Sequence, residues 1–167
     1  MRSKGVSTAM VFGWRALLDR LLSRANLERT SVGVGCNLCL LCNKEVETIQ
    51  HLFITCKVAQ HLWIKCDNWL GITSVTSNDV KCHFCGFSIN KVSTKVNKVS
   101  KGMWLTLVKE IWTHRNRVIS NNGKVDEVKI FVLAQMHGWT WAKFSRLRVK
   151  VLLSDWLLNP LEFLRQV

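Results

Sequence analysis

Apolar residues recur at helical spacing along most of the chain. Met10, Trp14, Leu17, Leu18, Leu21 and Leu22 fall three or four residues apart, which predicts an amphipathic helix over residues 6–22 with those side chains buried. Asn26 to Arg29 add a short helical turn. From Glu47 onward the period returns: Ile49, Leu52 and Phe53 make one apolar group, and Val58, Leu62, Trp63, Trp69 and Leu70 another. A third block over residues 101–120 lines up Trp104, Leu107, Val108, Ile111 and Trp112, and it stops at Asn121-Asn122-Gly123 as helix ends usually do. Val125 to Phe144 reads as a fourth helix. Residues 71–100 break the pattern, being rich in Ser, Thr, Asn, Gly and Lys, and read as a linker or long loop. Alternation at the strand period is weak throughout, apart from a tight hairpin expected at Cys39 to Cys42. There is no internal repeat.

Composition narrows what such helices could serve. With 48% apolar residues and eight Trp in 167 residues, the chain can bury a core, and general disorder is excluded. The net charge of +13 attracts polyanions, nucleic acid foremost. The alternative is that Lys and Arg only solvate the surface. No uncharged apolar run approaches the ~18 residues of a membrane span, so no transmembrane helix and no membrane partner are expected. The basic, apolar start imitates a secretory signal, but Arg15, Asp19 and Arg20 interrupt it and no small-residue cleavage site follows. An intracellular protein, nuclear or cytoplasmic and not secreted, is the expectation.

Seven cysteines cluster instead of spreading, and a histidine lies among them. Without a signal peptide, that pattern favours metal ligands over a disulfide frame. The set Cys39, Cys42, His51 and Cys56 reads C-x2-C-x8-H-x4-C. Three thiolates and one imidazole close a tetrahedral shell around one Zn²⁺, and a closed shell is structural. It leaves no position for an activated water, so zinc-dependent catalysis is not expected. A rival register uses Cys36 and Cys39 with the same His51 and Cys56. Turn chemistry favours the first, because the residue after the second cysteine tends toward a left-handed conformation. Asn43 tolerates that conformation and Leu40 does not. Cys36 is then a spare thiol or a competing ligand. The bland reading of the cluster is a set of buried free cysteines, which pack as small hydrophobes. Cys82 and Cys85 form a second C-x2-C with no further pair nearby, and Cys66 falls on an apolar helix face as a core thiol. His61 reads as a surface residue, and His114 and His137 show no partners. The fold class expected is mostly α: a small zinc-knuckle-stabilised helical domain over residues 1–72, a linker over 73–100, and a basic helical C-terminal extension over 101–167.

These residues bring a family into view. Cys39-Leu40-Leu41-Cys42, Glu47-Thr48, His51-Leu52-Phe53, Cys56, Ala59 and Trp63 resemble the zinc-binding domain of plant reverse transcriptases. That domain follows the polymerase in LINE-type retroelement polyproteins. The likeness begins at Ser3-Lys4, runs through Trp14-Arg15, Leu18-Asp19-Arg20-Leu21 and Asn26-Leu27, and persists at Trp69-Leu70-Gly71-Ile72, Gly102-Met103-Trp104-Leu105 and Ile111-Trp112 with Arg115-Asn116. It implies zinc on Cys39, Cys42, His51 and Cys56, and association with an element's RNA or DNA or with a reverse transcriptase polyprotein. The family commonly breaks its first helix with a proline where this chain has Leu22, so here the helix is expected to run on. Cys36, Cys82 and Cys85 lie outside the pattern.

Catalysis has little to work with. Eleven acidic residues include no aspartate pair suited to a two-metal polymerase site and no converging acids for ribonuclease H. Asp126-Glu127 is the one adjacent acidic pair, and it sits where a helix would begin. No P-loop and no nucleophile motif occurs, so no enzyme activity is expected. Non-specific nucleic-acid binding is the best positive expectation, with Arg115, Arg117, Lys124, Lys143, Arg146, Arg148 and Lys150 as phosphate contacts. Of the Trp residues, only one ring of the Trp139/Trp141 pair is expected to be free for base stacking. The alternatives are a protein-interaction module whose apolar helices dock a polymerase part, or a decayed element fragment without a selected role.

Overall fold

Local chemistry explains several of the helix boundaries. The computed structural model describes residues 4–31, 33, 35–73, 77–87, 93–121, 123–145 and 150–160, with backbone alone at 4–7, 95 and 121. They form α1 (Lys4–Leu17), α2 (Arg24–Arg29), a π-helical turn at His51–Thr55, α3 (Lys57–Leu70), α4 (Val80–Gly86), α5 (Thr94–Asn121), α6 (Glu127–Phe144) and α7 (Leu153–Leu158). Extended pairing among the described residues is limited to one antiparallel bridge between Leu38 and Val46. Ser23, Asp79 and Asp126 cap α2, α4 and α6, their side chains accepting from the N–H groups of Asn26, Cys82 and Lys129 at 3.2, 2.7 and 2.9 Å. Gly71 ends α3 in the left-handed conformation, at φ 60°.

The first helix does not run on through Leu22. It stops at Leu17, where Asp19 takes φ 53° and the N–H groups of Asp19 and Arg20 return to the carbonyls of Ala16 and Arg15 at 3.1 and 2.8 Å. This double closure is the usual glycine device, built here on an aspartate. The Asp19 carboxylate accepts from Asn26 and Arg29 at 3.0 Å each, which holds the turn without a proline. Leu21 is carried into the core and Leu22 is left exposed.

The buried face of α1 is also not the one that large apolar residues mark. Ala9 and Ala16 are buried, whereas Met10 and Trp14 are 55% and 64% exposed. The helix lies so close to α5 that a Cβ at Gly13 would fall 2.1 Å from Leu105 Cδ2. Small residues face inward here because the Leu105 side chain of α5 fills the space that a larger one at Gly13 would need. The α5–α6 crossing follows the same rule: a Cβ at Gly102 would meet the Trp141 ring at 2.3 Å, and one at Gly138 would meet Met103 Sδ at 2.0 Å.

Residues 71–100, expected as a linker, hold α4 and the first turns of α5. Val80, His83 and Phe87 are buried, as are Val96, Val99 and Ser100. The reason is an aromatic cluster that the polar composition of this stretch hides. The Trp63 ring lies 4.6 Å from His83, 5.4 Å from Phe87 and 6.0 Å from Trp104, with Phe84 4.9 Å from Trp104. Trp104 Nε1–H donates to His83 Nδ1 at 2.9 Å, so the imidazole is an acceptor and neutral. Burial, reinforced by the charge of Lys101, pushes the His83 pKa from 6.5 down to about 4. The unfolded chain takes up this proton first, so the contribution of His83 to stability is present above pH 6.5 and is lost as pH falls toward 4. Urea unfolding at pH 7 and pH 4.5 should show a loss of about 2 kcal/mol from this group. The His83→Gln variant should show correspondingly less pH dependence. An equal loss in both chains would remove His83 as its source.

Candidate metal centre

A hairpin and a helical turn bring the four predicted ligands to one point. The Leu38–Val46 bridge is extended by Cys39 N–H donating to Glu45 O at 2.7 Å, and Asn43 N–H closes the turn onto Cys39 O at 2.8 Å. Asn43 has φ 54°, the left-handed geometry that the turn argument requires of it. Cys39 and Cys42 leave this turn on the same side. His51 opens the next element, with its N–H donating to Thr48 Oγ1 at 2.9 Å. Cys56 closes it through an i→i+5 bond from its N–H to His51 O at 2.7 Å. The wider π turn absorbs the extra residue, so His51 and Cys56 share a face although they are five positions apart. Cys56 then starts α3.

The donor atoms of Cys39, Cys42, His51 and Cys56 all lie within 4.8 Å of one another, the one such group of three or more potential ligands among the described residues. Cys39 Sγ is 3.9 Å from Cys56 Sγ, and Cys42 Sγ is 3.3 Å from His51 Nε2. A tetrahedral zinc with Zn–S bonds of about 2.3 Å spaces its sulfurs by ~3.8 Å, so the set fits that ion with little rearrangement. The outer partners fit as well. His51 Nδ1 lies 3.2 Å from both Glu45 Oε2 and Thr55 Oγ1, which places the ring proton on Nδ1 and turns the Nε2 lone pair toward the sulfurs. The Cys39 thiol donates toward Cys56, an interaction that holds Cys39 above and Cys56 below the ordinary thiol range. Backbone N–H groups of Leu41 and Cys42 at the first sulfur, and of Ala59 and Val58 at the second, favour thiolates. A bound cation would take the place of the proton between the two sulfurs.

Other predicted residues separate from this centre. Cys36 is exposed and is not among the converging donors, and Cys66 is buried, its pKa raised by desolvation. Cys82 and Cys85 are exposed on α4 and not in a loop. His61 is on the surface beside Glu127, at 3.3 Å. His114 and His137 do have partners: His114 Nε2 accepts from Asp126 N–H at 3.1 Å, and His137 pairs with Glu110 at 2.8 Å.

The structure also sorts the predicted phosphate contacts. Arg117, Lys124, Lys143 and Lys150 are exposed, and Lys143 Nζ lies 4.5 Å from the centre of the Trp139 ring. Arg146 and Arg148 lie outside the described residues. Arg115 is not available to nucleic acid, being 4% exposed and paired with the fully buried Glu47. Trp139 and Trp141 are half-buried, Trp139 donating its indole N–H to Val151 O at 2.9 Å. The open ring is that of Trp14, which helical spacing had placed in the core; its neighbours in sequence gave no sign that small residues would be buried instead.

The geometry defines a helical zinc-type centre with a closed set of three cysteines and one histidine. Residues 2–63, which carry all four donors, match the family model described as zinc-binding in reverse transcriptase. No curated protein and no solved structure matches the chain. None of the helices among the described residues is long and apolar enough to cross a membrane.

Proposed function

We propose that the chain is a non-catalytic module of a plant LINE-type retroelement reverse transcriptase, held together by one structural zinc ion, which binds RNA or DNA through its basic surface without reading sequence. The observation that carries this reading is the closed four-donor centre within a segment matching a reverse-transcriptase zinc-binding family, in a chain of net charge +13. Exposed Arg117, Lys124, Lys143 and Lys150 offer point charges suited to phosphates. Fluorescence anisotropy with a single-stranded RNA tests it. With about five phosphates neutralised, affinity should fall on the order of 100-fold between 50 and 200 mM salt. An affinity indifferent to salt would sink the phosphate mechanism.

A second reading rests on the α1 face at Met10, Val11 and Trp14, which are 55%, 59% and 64% exposed. Such a face suits docking against a polymerase part of the same polyprotein. Trp14→Ala separates the readings, since it should weaken association with a polymerase fragment while leaving the salt-dependent RNA affinity in place.

A further inference from the structure

Glu47 is fully buried between the cysteine hairpin and His51, and it is not a member of the four-donor set. Both of its carboxylate oxygens are occupied. Oε1 accepts from the Arg24 N–H at 3.1 Å and from Arg115 Nε and Nη2 at 3.1 and 2.5 Å. Oε2 accepts from the Leu40 N–H at 3.3 Å and from Arg115 Nε at 3.2 Å. Leu40 lies inside the Cys39–Cys42 turn, so this carboxylate grips the ligand loop by its backbone. Through its main chain Glu47 also donates to Asn37 O at 2.8 Å and accepts from Ala25 N–H at 3.2 Å. Arg115 is in turn held in place, with its guanidinium 4.9 Å from the Trp112 ring centre and Nη1 donating to Asn116 Oδ1 at 2.9 Å. It comes from α5, well beyond the segment that matches the zinc-binding family.

We infer that Glu47 and Arg115 are positioning residues of the metal centre: Arg115 fixes the Glu47 carboxylate, which fixes the Leu40 amide and keeps Cys39 and Cys42 facing His51 and Cys56. The zinc-binding unit therefore includes α5. An ionised carboxylate buried here requires its cation, and a planar two-donor fork holds it in one orientation where a flexible ammonium does not. Glutamine at position 47 has one acceptor oxygen in place of two and must turn an NH2 group toward a donor. The loop that carries two ligands is then free to shift, and preorganisation for the metal is lost.

The inference rests on the metal reading of the four-donor cluster, and the full-length chain tests both. Zinc affinity is measured by competition with a chromophoric chelator, and ligand geometry by the visible spectrum of the Co²⁺-loaded chain. Glu47→Gln should raise the zinc Kd about tenfold or more, with an altered Co²⁺ spectrum, and Arg115→Lys should fall between it and the unaltered chain. Ile130→Ala, a core truncation on α6, serves as the control: it should lower Tm and leave Kd within about twofold. Kd and spectrum unchanged in Glu47→Gln and Arg115→Lys would reduce the pair to a stability element and overturn the inference. Should Glu47→Gln not fold, Arg115→Lys and hydrogen exchange on the unaltered chain still decide. Zinc should slow exchange of the α5 amides around Arg115, and no change there would also overturn it. An unaltered chain that takes up no zinc would instead sink the metal reading itself.

Discussion

Cys39→Ser is expected to abolish tight zinc binding, whereas Cys36→Ser retains it. Cys39 is fully buried, 3.9 Å from Cys56, and the N–H groups of Leu41 and Cys42 favour its thiolate. A serine hydroxyl stays protonated and cannot complete the shell, while Cys36 lies exposed outside it. At a free zinc concentration about 1,000 times Kd, the metal stabilises the native state by about 4 kcal/mol, and the Cys39→Ser chain should gain none of this. Metal analysis of the purified variants, together with urea unfolding with and without a chelator, checks both halves. Zinc lost from Cys36→Ser and kept by Cys39→Ser would reverse the ligand register.

Trp104→Ala is expected to have the largest effect of any single truncation outside the metal centre. The ring is fully buried among Trp63, His83 and Phe84, and its removal opens a cavity that α5 cannot close without disturbing the glycine contacts with α6. A loss of about 3–5 kcal/mol follows from the truncation alone. The stranded Nδ1 of His83 adds about 1 kcal/mol or more. Trp14→Ala, at a ring 64% exposed, should change stability by no more than about 0.5 kcal/mol. Equilibrium unfolding of the two variants side by side checks the contrast, and equal losses would contradict it.

The tryptophan pair shows where sequence pattern and tertiary structure part. Both rings stand at helical spacing with other large apolar residues, and the period alone assigns both to the core. Periodicity finds that a helix has an apolar face, but it does not say how near the neighbouring helix will come. Around α1 the approach is close enough to reverse the expectation, so Gly13, Ala9 and Ala16 face inward and Met10 and Trp14 face out. Residues 71–100 show the same limit from the other direction. Their polar composition reads as a loop, yet His83 and Phe87 complete an aromatic cluster with side chains from α3 and α5 that no local window contains. The basic residues divide likewise. Arg115 continues the buried stripe of Trp104, Leu107, Val108 and Ile111, while Arg117 stands about 200° further around the same helix; what lets the first charge be buried is Glu47, which comes from far along the chain.

The sequence by itself determined what depends on a few adjacent residues: the mostly helical class, the left-handed turn at Asn43, and the spacing that brings Cys39, Cys42, His51 and Cys56 into one group. Each of these is set by bonds or turns spanning a handful of positions, so its signal is written locally. The tertiary structure alone decided which face of α1 is buried, which cations remain free for a partner, and that α5 reaches back to brace the ligand loop through Arg115 and Glu47. Those outcomes depend on the distance between elements far apart in the chain, and on whether a charge finds its partner before it finds water.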